Sequence, residues 1–206
     1  QMRVNYRNHR KIVVIDGKVG FVGGFNVGRE YIGKDEKFGY WRDTHLRMEG
    51  PAVYMLQTVF VTDWLTLTEK RLMEARYFPV VDTTKGSSIV QIATSGADSE
   101  NQTIYEAYFY AMAQARETIY IETPYFILDE AMLIALKTAS LSGVDIKIIF
   151  PNIADHFTVY HASLSYLEQI MSLGAEVYFY DKQPGPSFIH SKLLLVDHEI
   201  ASVGTA

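Results

Sequence analysis

Two histidines and two lysines recur in this 206-residue chain at one repeated spacing. His9-x-Lys11 leads on to Asp16 and Gly23, and His190-x-Lys192 leads on to Asp197 and Gly204 at the same intervals. Between Lys and Asp the first copy reads Ile12-Val13-Val14-Ile15 and the second Leu193-Leu194-Leu195-Val196. Four branched apolar residues in a row with polar ends read as a buried strand, and residues two apart on a strand share a face. Each copy therefore offers one imidazole and one ammonium to a common space, about 6–7 Å apart. One such unit would be a weak signal, because a lone histidine beside an apolar strand is more often a hydrogen-bonded core residue. Two units converging on one pocket suit an anionic phosphate ester. One histidine attacks phosphorus and the other protonates the departing oxygen, while Lys11 and Lys192 hold the phosphoryl oxygens as charge builds.

Asp16 and Asp197 stand at an odd offset from the histidines, on the other face or beyond the strand end, and read as structural. Asp16-Gly17 is a hairpin-turn dipeptide, and Asp197-His198 occupies the matching place. Gly23-Gly24 and Gly204-Thr205 suit close backbone approach at the end of the returning strand.

The elements that must position these groups follow from periodicity. The first motif forms a hairpin over residues 10–15 and 18–23, followed by a glycine-punctuated irregular segment over 25–37. Residues 41–49 alternate as a strand with one polar face. Pro51 suits the start of a helix, whose apolar spacing runs to about residue 76. A linker over 78–86 opens a second unit with a strand at 88–94 and a helix carrying Ile104, Tyr108, Ala111 and Ala115. A strand at 118–121 comes next, then a helix capped by Asp129 through 142. A strand at 144–150 precedes a helix capped by Asp155 to 173, with Gly143 and Gly174 past the two helix ends. A strand at 175–180 and the second motif complete the series. Strands alternating with helices indicate right-handed parallel crossovers and an α/β layered sandwich of mostly parallel sheets flanked by helices. The expected units are residues 1–86 and 87–206.

Composition narrows the function. Apolar residues make up 48% and charged residues 21%, enough for a core. Cysteine is absent, which excludes disulfides and thiolate metal sites. No apolar run approaches the length of a membrane span, and no signal peptide is evident. The net charge is −5, yet Arg3, Arg7, Arg10, Lys11 and Lys18 face only Asp16 within the first twenty residues. That argues against a general nucleic-acid surface and for one basic pocket. His156 and His161 stand five apart on a helix, off a common face, so neither a metal nor a cofactor is expected.

The duplicated H-x-K-x4-D, followed by a small pair and Asn, resembles the signature of the phospholipase D superfamily. The first copy carries it through Gly23-Gly24-Phe25-Asn26; the second reaches Gly204-Thr205-Ala206, where the family pattern next has Asn. The resemblance implies two pseudo-symmetric repeats with their motifs side by side. On that reading this chain is part of a longer protein, joining the second half of one repeat to the first half of the next. Asp43-x-x-Leu46-x-x-x-Gly50-Pro51 is similar to the family segment whose carboxylate bonds the far nitrogen of a motif histidine. His9 is its expected partner here, the equivalent for His190 lying beyond Ala206. Asn26 is expected to donate beside the lysines.

Residues 41–47, 99–105 and 121–126 resemble the bacterial cardiolipin synthases. That resemblance implies phosphatidyl transfer between two phosphatidylglycerols through a phosphohistidine, giving cardiolipin and glycerol, with His9 attacking and His190 as acid. It also implies attachment to the bacterial cell membrane through segments outside this chain, the present part being soluble. Tyr125 and Phe126 are candidates to line a lipid channel, and Glu122 at the same mouth is either a helix cap or a pocket residue. The alternatives are phospholipase D-type hydrolysis, or a non-catalytic piece that binds lipid phosphate. Self-association through unpaired sheet edges is a further expectation.

Overall fold

The computed structural model describes residues 8–81, 83, 86–96 and 101–204. The first motif forms the expected hairpin, β1 (Ile12–Ile15) and β2 (Val19–Gly23), and the second forms β9 (Leu193–Val196) and β10 (Ile200–Val203). Both close through the same two-residue turn. Asp16 and Gly17 have φ of 54° and 65°, and Asp197 and His198 have φ of 53° and 57°. Two successive left-handed residues match the right-handed twist of the flanking strands.

The stretch expected as one strand over 41–49 is two. β3 (Tyr40–Arg42) pairs in parallel with β8 (Ser187–Ile189), whereas β4 (His45–Glu49) pairs antiparallel with β2. The chain changes sheets at Asp43-Thr44, because two partners from opposite ends of the sequence claim its two halves. The first sheet, β1-β2-β4, is covered by helix α1 (Ala52–Thr68). Leu56 and Val53 of α1 are fully buried against it, and a Cβ on Gly20 of β2 would stand 2.8 Å from Leu56. The helix stops well short of residue 76. Glu69 turns left-handed at φ 58°, and Leu67 is already 80% exposed, so no core remains to support another turn. The chain then doubles back until the Tyr54 hydroxyl meets the Pro79 carbonyl.

The second sheet runs β10-β9-β5-β6-β7, with β5 (Thr118–Glu122), β6 (Asp145–Pro151) and β7 (Glu176–Tyr180) parallel and β9 antiparallel to β5. Its sheets are therefore mixed. The main core joins strand residues Ile119, Ile146, Ile148, Phe150, Leu194 and Val196 to helices α2 (Thr103–Gln114), α3 (Glu130–Leu141) and α4 (Phe157–Met171). Each fully buried Ile, Leu or Phe contributes about 1.5–3 kcal/mol. Asp129 caps α3 by accepting from Met132 N at 2.9 Å. Asp155 does not cap α4, which begins after His156 with no side-chain cap; its carboxylate is engaged by the Tyr125 hydroxyl instead. The strand expected at 88–94 does not form, and Ile89 is fully exposed. Its β-branched run meets no free sheet edge among the described residues.

Candidate active site

The two-stranded ribbon β3–β8 builds the centre of the site. Its register pairs Tyr40 with Ser187, Trp41 with Phe188 and Arg42 with Ile189. The next step brings Asp43 opposite His190. His190 N donates to Arg42 O at 2.7 Å, and His190 Nδ1 meets Asp43 Oδ2 at 2.8 Å. One residue on, the Thr44 and Ser191 hydroxyls lie 3.0 Å apart. Asp43 was expected to serve His9; the structure gives it to His190, because the break between β3 and β4 carries Asp43 with the ribbon rather than with the first motif.

Asp43 is almost completely buried, its side chain 1% exposed. Thr44 N donates to its Oδ1 at 2.8 Å. Gly24 explains itself here, since a Cβ at that position would stand 2.4 Å from Asp43 Oδ1. A Cβ on Gly23 would likewise stand 2.5 Å from Thr44 O. The small pair after the first motif is thus the floor for Asp43, the carboxylate bonded to the second motif's histidine.

Lys192 holds the other side of the His190 ring. Its Nζ donates to His190 O at 2.7 Å and lies 3.0 Å from His190 Nε2. A carboxylate only accepts and an ammonium only donates, so Nδ1 carries the ring proton and Nε2 presents its lone pair. Tyr31 and Trp41 pack on this ring at centroid distances of 5.8 and 5.2 Å. Burial lowers the Lys192 ammonium to about 8, with Asp43 opposing the shift, Lys11 adding to it and Asp155 opposing it.

His9 is arranged differently. It is exposed, and no side chain among the described residues orients its ring by a hydrogen bond. Its backbone is fixed from both flanks: Asn8 Nδ2 donates to Asp63 of α1 at 2.7 Å, and Arg10 donates to the same carboxylate at 2.8 and 3.1 Å. Lys11 Nζ donates to His9 O at 2.7 Å, repeating the Lys192–His190 contact. Partial desolvation lowers the His9 imidazole below its ordinary value, and the charges of Lys11, Lys192 and His190 lower it further. The two copies therefore feel one another across one space. Burial also lowers Lys11, against the attraction of Asp43. Asn26 donates to the Tyr31 hydroxyl at 2.5 Å and so stands beside the ring packed on His190.

Asp16 and Asp197 stand in the turns, as expected of structural residues. They are not equivalent. Asp197 accepts from Arg116 N at 2.9 Å, Glu117 N at 2.8 Å and Thr118 N at 2.9 Å, which holds its carboxyl below the usual range. Asp16 is exposed.

A cavity of about 850 Å³ opens beside these groups, with His9 and Lys192 in its wall together with Glu122, Tyr125 and Phe126. Lys192 Nζ lies 5.9 Å from the Tyr125 ring centroid. The Tyr125 hydroxyl donates to Asp155, and burial first, then that carboxylate, pushes its own ionisation upward. Glu122 Oε2 is buried and has no hydrogen-bond partner among the described residues. Sequence reasoning did not single out Tyr31, Trp41, Asp63 or Asp155 as site residues. Their only signal was proximity in space.

Known proteins meet this arrangement in two ways. The crystal structure of phosphatidylserine synthase from Haemophilus influenzae Rd KW20 superposes with a TM-score of 0.57 at 14% identity, covering 92% of this chain and 51% of that one. Fold and paired motifs together define a phospholipase D-like protein. Residues 108–206 match the family described as cardiolipin synthase, PLD-like domain. A cardiolipin synthase of Listeria innocua is 52% identical over 99% of this chain, and cardiolipin synthase 2 of Staphylococcus epidermidis is 51% identical over 100% of it. The chain belongs to the cardiolipin synthase family of phospholipase D-like proteins. It spans 42% and 41% of the length of those two relatives.

Proposed function

We propose that this site transfers a phosphatidyl group from one phosphatidylglycerol to another, forming cardiolipin and releasing glycerol. The observation that carries the reading is the His190 ring, pinned between Asp43 and Lys192 with its proton on Nδ1 and its Nε2 lone pair turned to the Lys192 ammonium, which frees it on moving to the phosphoryl oxygens. A nucleophile needs one fixed lone pair and a partner that stabilises the cation formed on attack. His190 has both, which supports reading it as the nucleophile and His9 as the proton-transfer group, the reverse of the roles expected from sequence.

In the first half-reaction His190 Nε2 bonds to phosphorus, the phosphorus–glycerol oxygen bond breaks, and His9 as imidazolium gives its proton to that oxygen. The bound phosphodiester anion favours this protonated form, countering the repulsion from Lys11 and Lys192. In the second half-reaction His9 takes the proton of the acceptor hydroxyl, whose oxygen attacks phosphorus as the bond to Nε2 breaks. Lys11 and Lys192 hold the non-bridging oxygens throughout. Glycerol and phosphatidic acid are quantified from phosphatidylglycerol vesicles treated with the full-length protein. Glycerol with cardiolipin supports transfer; phosphatidic acid with no cardiolipin overturns it in favour of hydrolysis. Attachment to the bacterial cell membrane belongs to the same proposal; among the described residues no helix is long and apolar enough to cross one.

A further inference from the structure

We infer that Thr44 and Ser191 are positioning residues, whose hydroxyl-to-hydroxyl contact holds the Asp43 carboxylate on His190 from the far side of the backbone. This deepens the proposed function and rests on it for the role of His190.

The ladder between β3 and β8 stops just short of the Asp43 and His190 pair. Its last backbone bond runs from His190 N to Arg42 O at 2.7 Å. Asp43 and Thr44 lie between β3 and β4, so the ladder does not set the direction of the Asp43 side chain. Two side-chain rungs take over. Asp43 Oδ2 meets His190 Nδ1 at 2.8 Å, and one residue on, the Thr44 and Ser191 hydroxyls meet at 3.0 Å. Successive residues of extended chain point to opposite sides, which puts the hydroxyl rung across the backbone from the imidazole. The wall of the neighbouring cavity accordingly takes in His9 and Lys192 but neither Thr44 nor Ser191. Ser191 is fully buried.

Thr44 is tied to both motif copies. Its N donates to Asp43 Oδ1 at 2.8 Å, and its carbonyl accepts from Gly24 N at 3.2 Å, at the end of the first hairpin. Its hydroxyl faces Ser191, the middle residue of the second His-x-Lys, and accepts from Arg42 Nη1 at 3.2 Å. The same nitrogen donates to Asp43 O at 2.6 Å. A branched Cβ limits the rotamers a threonine hydroxyl can take, and a buried hydroxyl is costly to leave without a partner. Ser191 therefore fixes Thr44, the Thr44 N–H fixes Oδ1, and Oδ2 is thereby set on His190. Neither hydroxyl touches the reacting atoms; both act through the carboxylate.

The full-length protein is assayed on phosphatidylglycerol vesicles, with turnover counted as lipid consumed. Thr44→Val keeps the shape and removes the hydroxyl. Ser191→Ala removes the same contact from the other strand and stands in should the valine variant fail to fold. A misplacement of about 1 Å can cost on the order of 10²-fold, so each variant is expected to lower kcat by about 10–10²-fold. KM should stay within about twofold, because the loss falls on the reacting geometry and not on uniform binding. Thr44→Ser, which restores the hydroxyl, should recover most of the lost rate. The same substitutions are then made in the Asp43→Asn protein. With the carboxylate gone, each should cost less than about threefold, the non-additivity expected of groups that act as one unit. A loss as large in the Asp43→Asn protein as in the parent, a loss confined to KM, or parental kcat in Thr44→Val and Ser191→Ala overturns the positioning role. The products are read separately. Phosphatidic acid without cardiolipin removes the transfer reading, while non-additivity with Asp43→Asn still upholds the role of Thr44 and Ser191.

Discussion

The two motif copies share a backbone and differ in what surrounds it. Each has a hairpin with the same left-handed turn and a lysine that donates to its own histidine's carbonyl at 2.7 Å. Around His190, however, a buried carboxylate, a buried ammonium and the Tyr31 and Trp41 rings hold the imidazole in place. Around His9 the backbone is anchored through Asp63, and no hydrogen bond from a described residue orients the ring. Duplication supplied two chemically equal groups, and their different surroundings are what the proposed division into a fixed nucleophile and a proton carrier rests on. A nucleophile gains from immobility because attack needs aligned orbitals at near-contact distance. A group that must first give a proton and later take one from a different lipid gains from freedom.

Removing each histidine in the full-length protein tests this contrast most strongly. His190→Ala should abolish transfer with every donor, a loss of about 10⁴-fold or more. His9→Ala should lose about 10²–10⁴-fold with phosphatidylglycerol, and much less in the first half-reaction of a donor whose leaving group needs no proton. Equal losses with both donors for both variants would break the division of labour.

Asp43 sharpens the comparison at the next level. Asp43→Asn keeps the shape but no longer stabilises the Nδ1–H tautomer or the cation formed on attack, and is expected to lower kcat by about 10²–10⁴-fold. Gly24→Ala should act through the same contact. Its Cβ would displace the carboxylate, and a shift of about 1 Å can cost on the order of 10²-fold, with the melting temperature recorded as the control for folding. A Gly24→Ala protein with parental kcat would separate Asp43 from the chemistry.

Lys192 gives a pH signature. Its ammonium, lowered to about 8, is charged below that pH and neutral above it, so kcat/KM should fall as pH rises through about 8. Lys192→Arg keeps its charge to far higher pH. The alkaline limb should then move upward even though the rate is lower.

The smallest effect separates the two turn aspartates. Asp197→Asn removes the charge that three backbone N–H groups solvate, so the melting temperature at neutral pH should drop. Because the folded-state carboxyl is held below its usual range, its stabilisation is present above the unfolded value of about 3.9. It disappears as pH falls through the folded one. The parent and Asp197→Asn melting curves should therefore converge in acid. Asp16→Asn, in an exposed turn, should stay within about 0.5 kcal/mol of the parent.

Much of this was legible in the sequence because it is local. The apolar runs flanked by His-x-Lys and Asp made both hairpins readable, and Asp129 with Gly143 bounded α3 by chemistry within a few residues. The partner of Asp43 was not local. It depends on Ser187-Phe188-Ile189 pairing in parallel with Tyr40-Trp41-Arg42 across a separation of 147 residues, and no periodicity encodes which distant strand a short run will join. The same reason misjudged residues 41–49 as one strand, since alternation continues through Asp43 whichever sheet each half enters. The unformed strand at 88–94 erred the other way: local β-propensity was present, and no edge received it.

The central claim is that two histidines meet at one phosphorus with His190 forming the bond. It is tested most directly by trapping the intermediate in the full-length His9→Ala protein, using a phosphatidyl donor whose leaving group departs unprotonated. The acceptor hydroxyl then has no base, so a phosphatidyl adduct should accumulate on the peptide containing His190 in acid-free quench and mass mapping. An unlabelled His9→Ala protein, alongside a His190→Ala protein labelled at His9, would contradict the account.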